Sequence, residues 1–517
     1  MSKQSANNLR DKDRDYFDTN HLEENLKRRS VRGGAVTIAA QASKFVLKLG
    51  STAVLARLLV PEDYGLIGMA TVIVGFVEYF KDLGLSAATI QQAKINHQQV
   101  STLFWINVVI GCLVALVVAL FAPAVALIYQ EPRLRAITLC LAISFVFSGL
   151  TVQHQALLQR QMEFSSLAKI EIIAMINGIV GSIISAYYGA GYWSLVILQL
   201  FTVVSNAIGV WLFCRWRPGL PSRNANIGSM LNFGRDLTGF NIINYFSRNL
   251  DNFLIGRVWG AQQLGLYAKA YQLVLLPINQ INVPVDRVAL PALSRLQNDP
   301  ERYQKYYGRA LLAITFLGMP LVMFLCVSAD KVILLLLGKE WLKAIPIFQF
   351  LIPAAFIGTF NLATGWVYQS LNRNDRQLRW GIFSSVLNVI IFVVAIKWGA
   401  LGIAAAYGLS RIIIVIPAIV YCYRGTWLKL TDFFAIIFLP TFGSIGAAIG
   451  VFILQRLFLR EIELNTFASF SLDCLVYILF YGSIWCLIPQ GRKRLRDILQ
   501  IVVEYKKIEQ IINEAIY

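Results

Sequence analysis

Long apolar runs separated by short polar breaks fill the chain from residue 34 to residue 488. Runs of this length can cross a hydrocarbon core of about 30 Å as helices. They predict about fourteen spans, at 34–56, 65–90, 101–128, 134–158, 167–188, 192–214, 230–256, 265–290, 308–329, 344–371, 379–397, 400–423, 432–456 and 466–488. Two of them depart from the apolar pattern in the same way. The first carries Gln41, Lys44, Lys48 and Ser51, and the seventh carries Asn241, Asn244, Arg248 and Asp251. Both sets follow i, i+3, i+7, i+10, which is one face of a helix. In lipid such a hydrophilic stripe must face protein or water.

The two stripes belong to a larger repeat. At one fixed offset of 200 positions, Gly34 meets Gly234, Arg57 meets Arg257, Gly65 meets Gly265, Leu66 meets Leu266 and Ala70 meets Ala270. Further on, Leu134-Arg135-Ala136-Ile137 matches Leu342-Lys343-Ala344-Ile345 at an offset of 208, with the added residues expected in a basic inner loop at 291–309. Six spans per half place equivalent ends on the same side, so the repeat is parallel, with its axis along the membrane normal. The expected fold is an all-α polytopic membrane protein. A polar tail (1–33) leads to an N-lobe of six spans (34–214). A linker (215–229) joins it to a C-lobe of six (230–423). Two further spans (432–488) and a tail (489–517) close the chain.

Composition agrees: 57% of the 517 residues are hydrophobic, 15% are charged and the mean hydropathy is +0.59. Soluble domains carry about a quarter charged residues. The net charge of +18 points to topology and anionic headgroups rather than nucleic acid, because the basic residues crowd the loops of one side. That asymmetry, with an even number of spans, places both termini in the cytoplasm. The first tail is too polar for a signal peptide. From Arg492 onward the second tail alternates basic and apolar residues, as an amphipathic helix on the inner surface does. Seven scattered cysteines without a CxxC pair and three separated histidines offer no metal site. No Gly-rich phosphate loop, HExxH or GxSxG motif is present, so the reading is a protein without cofactor that is not an enzyme.

Charges inside spans are costly and each needs a reason. Glu78, Lys81 and Asp82 form an i, i+3, i+4 cluster in the second span, and Asn279, Asn282 and Asp286 repeat a stripe in the eighth. Lys169 with Glu171 and Arg235 with Asp236 sit near inner ends, and Arg411 lies in the twelfth span. Packing by ion pairs accounts for Glu78/Lys81, Lys169/Glu171 and Arg235/Asp236. Lys48 and Arg248 occupy equivalent places in the two halves, and Arg248 can also pair with Asp251. Two cations facing one cavity suit an anionic substrate, especially a phosphate or diphosphate. Hydration of the cavity and plain packing are the other readings. The substrate-contacting set is therefore Lys44, Lys48, Arg248, Gln41 and Asn244, and Glu78, Asp82, Asp251 and Asp286 are the titratable candidates for ion coupling.

The stretch Ala56-Arg57-Leu58-Leu59-Val60-Pro61-Glu62-Asp63-Tyr64-Gly65 resembles the first-hairpin pattern of bacterial O-antigen and exopolysaccharide flippases, of the MOP exporter superfamily. Phe121-Ala122-Pro123, Tyr129, Leu134-Arg135 and Leu337-Gly338-Lys339-Glu340-Trp341 carry the same resemblance, which covers about residues 33–425. It implies two lobes around a cleft that opens alternately to each side of the bacterial inner membrane. It also implies polyprenyl-diphosphate-linked oligosaccharide as cargo, moved to the outer leaflet for surface polysaccharide (lipopolysaccharide or exopolysaccharide) synthesis. Membrane lipids, a polysaccharide polymerase and glycosyltransferases are its expected partners. A drug or cation exporter of this fold would have an acidic, aromatic cavity instead. A membrane glycosyltransferase would need a large loop with a carboxylate cluster. A peptidoglycan-precursor flippase is a close alternative within the same class.

Overall fold

The computed structural model describes residues 16–17, 26–78, 84–92, 94–222, 228–457 and 465–495, and their side chains apart from those of 26–35, 38, 77–78, 228–244 and 246–248. Among the described residues every regular element is a helix. In chain order these are α1 (Leu26–Leu58), α2 (Pro61–Glu78), α3 (Leu85–Gln91), α4 (His97–Tyr129) and α5 (Arg133–Arg160). Then come α6 (Phe164–Tyr187), α7 (Trp193–Phe213), α8 (Gly228–Arg295), α9 (Pro300–Val327) and α10 (Ala329–Leu336). The last five are α11 (Ala344–Ser370), α12 (Asn374–Ala395), α13 (Gly399–Tyr423), α14 (Leu430–Leu457) and α15 (Thr466–Leu487).

Nine helical stretches among the described residues are long and apolar enough to cross a membrane. One of them, Asn374–Tyr423, joins α12 and α13 through a short 3-10 turn at Ile396–Trp398. The expected count of about fourteen also needs α1, α2 and both halves of α8. Those are the helices that carry the polar stripes and the acidic residues, which lower their hydropathy. Spans seven and eight are the two helices of α8, separated as expected by a kink, at Gly260, whose φ of 79° only glycine adopts without strain. One expected boundary is corrected. The loop expected at 291–309 is largely helical. Here α8 continues to Arg295, and α9 starts at Pro300, where the Asp299 carboxylate accepts the Arg302 backbone N–H at 3.2 Å.

The chain divides into two compact units, Met1–Gly265 and Leu266–Tyr517. In the first, α4 and α5 approach backbone to backbone at two glycines. A Cβ on Gly111 would lie 2.6 Å from the Phe145 carbonyl oxygen, and one on Gly149 would lie 2.6 Å from that of Asn107. Small residues at such crossings bring helices close when lipid offers no hydrophobic drive for association. At the far end of α5, Arg160 Nη1 donates to the carbonyls of Thr89, Ile90 and Gln92 at 3.1, 3.2 and 2.5 Å, capping α3. Tyr16 and Phe17, in the stretch read as a polar tail, pack here. The Arg215 backbone N–H donates to Tyr16 Oη at 2.9 Å, and Phe17 meets the His97 ring at 6.0 Å.

In the second unit, Tyr303, Tyr307, Trp366, Tyr423 and Phe433 form the aromatic centre of a core between α9, α11, α13 and α14. Tyr423 Oη donates to Tyr307 Oη at 2.8 Å, and Tyr303 shares a 2.7 Å hydrogen bond with Ser370. The last two helices are attached by a buried charge. Asp473 of α15, fully enclosed, takes Lys331 of α10 as an ion pair and accepts Gln455 Nε2 of α14 at 2.8 Å. Removing one member leaves the other charge buried and unpaired, at a cost of about 3–5 kcal/mol. We expect Asp473→Ala to lower the amount of folded protein in the membrane, with much of it recovered in the apolar double variant Lys331→Met/Asp473→Leu. Recovery is measured as monodisperse protein after detergent extraction. A double variant no better than Asp473→Ala would show that the pair is not what fixes these helices.

Candidate functional site

On α1 the polar stripe has two different cations. Lys44 Nζ lies 2.6 Å from Glu171 Oε2 of α6, an ion pair with both side chains partly exposed. Lys48, one turn further along, is exposed and makes no ion pair among the described residues. Gln41 is exposed on the same face, and the Ser51 hydroxyl turns back to donate to the Lys48 carbonyl at 3.0 Å. Glu171 was expected to pair with Lys169 in its own helix. The structure assigns it to Lys44 instead, because α1 and α6 lie side by side and bring the two groups together across 127 residues of sequence.

The matching stripe lies on α8. Asn244 and Arg248 are placed by their backbone, and their side chains lie outside the described residues, as does that of Asn241. Asp251 is buried, and its carboxylate accepts the Asn252 backbone N–H at 2.8 Å. Of the other coupling candidates, the Glu78 side chain and the whole of Asp82 lie outside the described residues. Asp286 accepts the indole N–H of Trp366 at 2.7 Å, a partner that sequence spacing had no means to name. Arg411 stacks over Tyr407 of its own helix, with its guanidinium carbon 4.8 Å from the ring centroid. No group of histidine, cysteine, aspartate or glutamate among the described residues is arranged to hold a metal ion.

The turn after α1 and the kink within α8 meet. A Cβ on Gly65 would lie 1.7 Å from the Ala261 carbonyl oxygen, and one on Gly265 would lie 1.8 Å from that of Pro61. Pro61 stands 200 positions before Ala261 and Gly65 stands 200 before Gly265, so the contact is reciprocal between residues that the repeat makes equivalent. A two-fold relation produces such an isologous contact. Neighbouring interactions hold both segments. Tyr245 Oη reaches the carbonyls of Val72 and Thr71 at 2.7 and 3.2 Å, and Tyr129 packs on Phe253 at 5.6 Å. At the start of α2, Glu62 accepts Arg133 at 2.6 Å, and Arg133 also binds Glu131 at 2.8 Å. The guanidinium beside it holds the Glu131 carboxyl below the usual carboxylate range. The sequence reading had singled out the glycines only as repeat markers. Their identity at one offset was the available signal that they share a contact.

Among the described residues, the stripe on α1 thus presents one cation, Lys48, without an ion-pair partner, and the turn after α1 lies against its equivalent in the repeat. The family described as "Polysaccharide biosynthesis protein" matches residues 54–346. The chain is 27% identical to the lipopolysaccharide biosynthesis protein WzxC of Escherichia coli strain K12 over 395 residues, 75% of this chain and 80% of that one. It is 27% identical to the teichuronic acid biosynthesis protein TuaB of Bacillus subtilis strain 168 over 432 residues, 81% and 88% of the two chains. In fold it resembles the lipid II flippase MurJ in an inward closed conformation, with a TM-score of 0.70 at 15% identity over 88% of this chain and 98% of that one. The chain therefore belongs to the polysaccharide biosynthesis protein family, and is a multi-pass membrane protein that shares its fold with MurJ.

Proposed function

We propose that the chain is a flippase that carries polyprenyl-diphosphate-linked oligosaccharide units from the inner to the outer leaflet of the bacterial cytoplasmic membrane. The observation that carries this reading is Lys48, an exposed cation without an ion-pair partner among the described residues, on α1, the helix of the first expected span. An unpaired ammonium at membrane depth is stable only against water or an anion. The diphosphate supplies that anion, while the polyprenyl tail remains in lipid and the sugars pass with the head. Lys44 is already neutralised by Glu171 and serves as the second, exchangeable cation of the stripe. Arg248 is the counterpart of Lys48 on α8, and Gln41 and Asn244 supply neutral hydrogen bonds beside them.

Relatives named for lipopolysaccharide and teichuronic acid biosynthesis, and a fold shared with a lipid II flippase, support the same cargo class. The proposed arrangement is an N-lobe at 34–214, a C-lobe at 230–423, two added spans and both termini cytoplasmic. If an ion gradient drives the cycle, Asp251 is the most enclosed of the proposed coupling carboxylates that the structure describes. A conditional deletion tests the function directly. Loss of the protein is expected to stop surface polysaccharide and to leave full-length lipid-linked units in the inner leaflet, out of reach of an impermeant sugar-oxidising reagent. Units that remain fully accessible from outside after depletion would overturn the proposal.

A further inference from the structure

Where α15 ends, the chain doubles back sharply. Gly491 is buried against α15, and a Cβ there would lie 2.3 Å from the Trp485 carbonyl oxygen, so only glycine permits the return. The next residues are helical and run beside the start of α14. Arg494 anchors them, donating to the carbonyls of Ala435 and Ile436 at 2.7 and 3.0 Å, while Leu495 packs with Leu312, Leu439 and Trp485. Between the two segments is an open cavity of about 540 Å³, lined by Phe434, Ala435, Phe438, Gln490, Lys493 and Arg494. One wall is basic and the other is exposed aromatic surface. Phe438 is 57% exposed and its ring lies tilted, 4.4 Å between centroids, against Phe442, which is 58% exposed and continues the apolar wall along α14.

Charge and shape together name the occupant. Arg492, Lys493 and Arg494 form an unbroken basic run, and Lys493 is exposed with no ion-pair partner among the described residues. The nearest acidic residue along α14, Asp432, is exposed in its first turn and accepts the Thr431 hydroxyl at 3.5 Å. A soluble anion would use the basic wall and leave the phenylalanines bare. A lipid uses both walls, with its headgroup phosphate at Lys493 and its acyl chains along Phe438 and Phe442. Lysine is suited to this because its stem lies on apolar surface while its ammonium reaches the headgroup plane. We propose that this cavity is a headgroup site for an anionic phospholipid of the leaflet that contacts the C-terminal segment. It would tie the last two spans to the membrane surface, separately from the transported cargo.

The test uses the full-length protein in mixed micelles, titrated with phosphatidylglycerol, phosphatidylcholine or glycerol 1-phosphate. The readouts are phospholipid retained per protein and the midpoint of thermal unfolding. Phosphatidylglycerol is expected to be retained and to raise the midpoint, and neither phosphatidylcholine nor glycerol 1-phosphate should do so. Lys493→Gln should weaken phosphatidylglycerol retention about five-fold, the effect of one basic group near an anionic lipid, and Lys493→Arg should restore it. Phe438→Ala should weaken retention while leaving the charge intact. Equal retention of the two phospholipids, or unchanged retention in Lys493→Gln, would overturn the site. A full shift from glycerol 1-phosphate alone would overturn its assignment to a lipid. None of these outcomes depends on what the protein transports.

Discussion

Gly65→Ala and Gly265→Ala are each expected to abolish export while leaving the protein folded in the membrane. A methyl group at these positions would stand 1.7 Å from the Ala261 carbonyl oxygen and 1.8 Å from that of Pro61. Both obstacles are backbone, so no side chain can rotate aside, and the two turns must move apart. Ordinary overpacking costs about 1–3 kcal/mol, and a carbonyl in a helix-terminal turn belongs at the upper end of that range. About 3 kcal/mol shifts a two-state equilibrium by about a hundredfold. The arrangement seen here would then be almost unpopulated, and a transporter that must pass through it on every cycle stops. The helices themselves do not need the contact, because Tyr245, Tyr129 and the Glu62–Arg133–Glu131 cluster hold the same segments independently. Surface polysaccharide per unit of membrane protein measures the effect. Normal output from both alanine variants would mean that the close approach is not an obligatory state.

The reciprocity of that contact shows what the sequence made legible and what it did not. The identity of Gly65 with Gly265 at one offset was visible because a backbone approach that leaves no room for a Cβ admits only glycine. Helix extents were visible too. The expected spans 101–128, 134–158, 167–188 and 192–214 correspond to His97–Tyr129, Arg133–Arg160, Phe164–Tyr187 and Trp193–Phe213. Breaks that depend on one glycine were harder to place. The second span was expected to run unbroken to residue 90, whereas Gly84, with φ of 71°, opens a separate short helix, α3. Pairing was least legible of all. Lys44 could be assigned to a stripe from periodicity, but its partner Glu171 is fixed by which helices pack together. The same holds for Asp286 and Trp366, and for the Asp473–Lys331 pair, which had no signal beyond a charge in an apolar run.

Lys48→Gln and Arg248→Gln are expected to cut polysaccharide output by at least about tenfold at normal expression. A hydrogen bond to a charged group contributes about 1.5–3 kcal/mol, and about 1.4 kcal/mol corresponds to a tenfold change. Lys48 has no ion-pair partner among the described residues, so its removal leaves no orphaned charge in the fold and should not lower protein levels. That separates it from Lys44, whose neutralisation strands Glu171 at 2.6 Å and should lower output and stability together. Glu171→Gln makes the converse change. It releases Lys44 as a second uncompensated cation and should partly restore function to Lys48→Gln if charge, rather than one particular ammonium, is what the cargo requires. By the same logic Lys48→Arg and Arg248→Lys should be tolerated better than either glutamine variant. The double variant Lys48→Gln/Arg248→Gln should be little worse than the single ones, because a diphosphate held from one side only is already poorly bound. A packing role predicts the opposite set of results: reduced membrane protein and near-normal output from each molecule that remains. Near-normal output from both glutamine variants, at wild-type protein levels, would remove these two cations from the transport path.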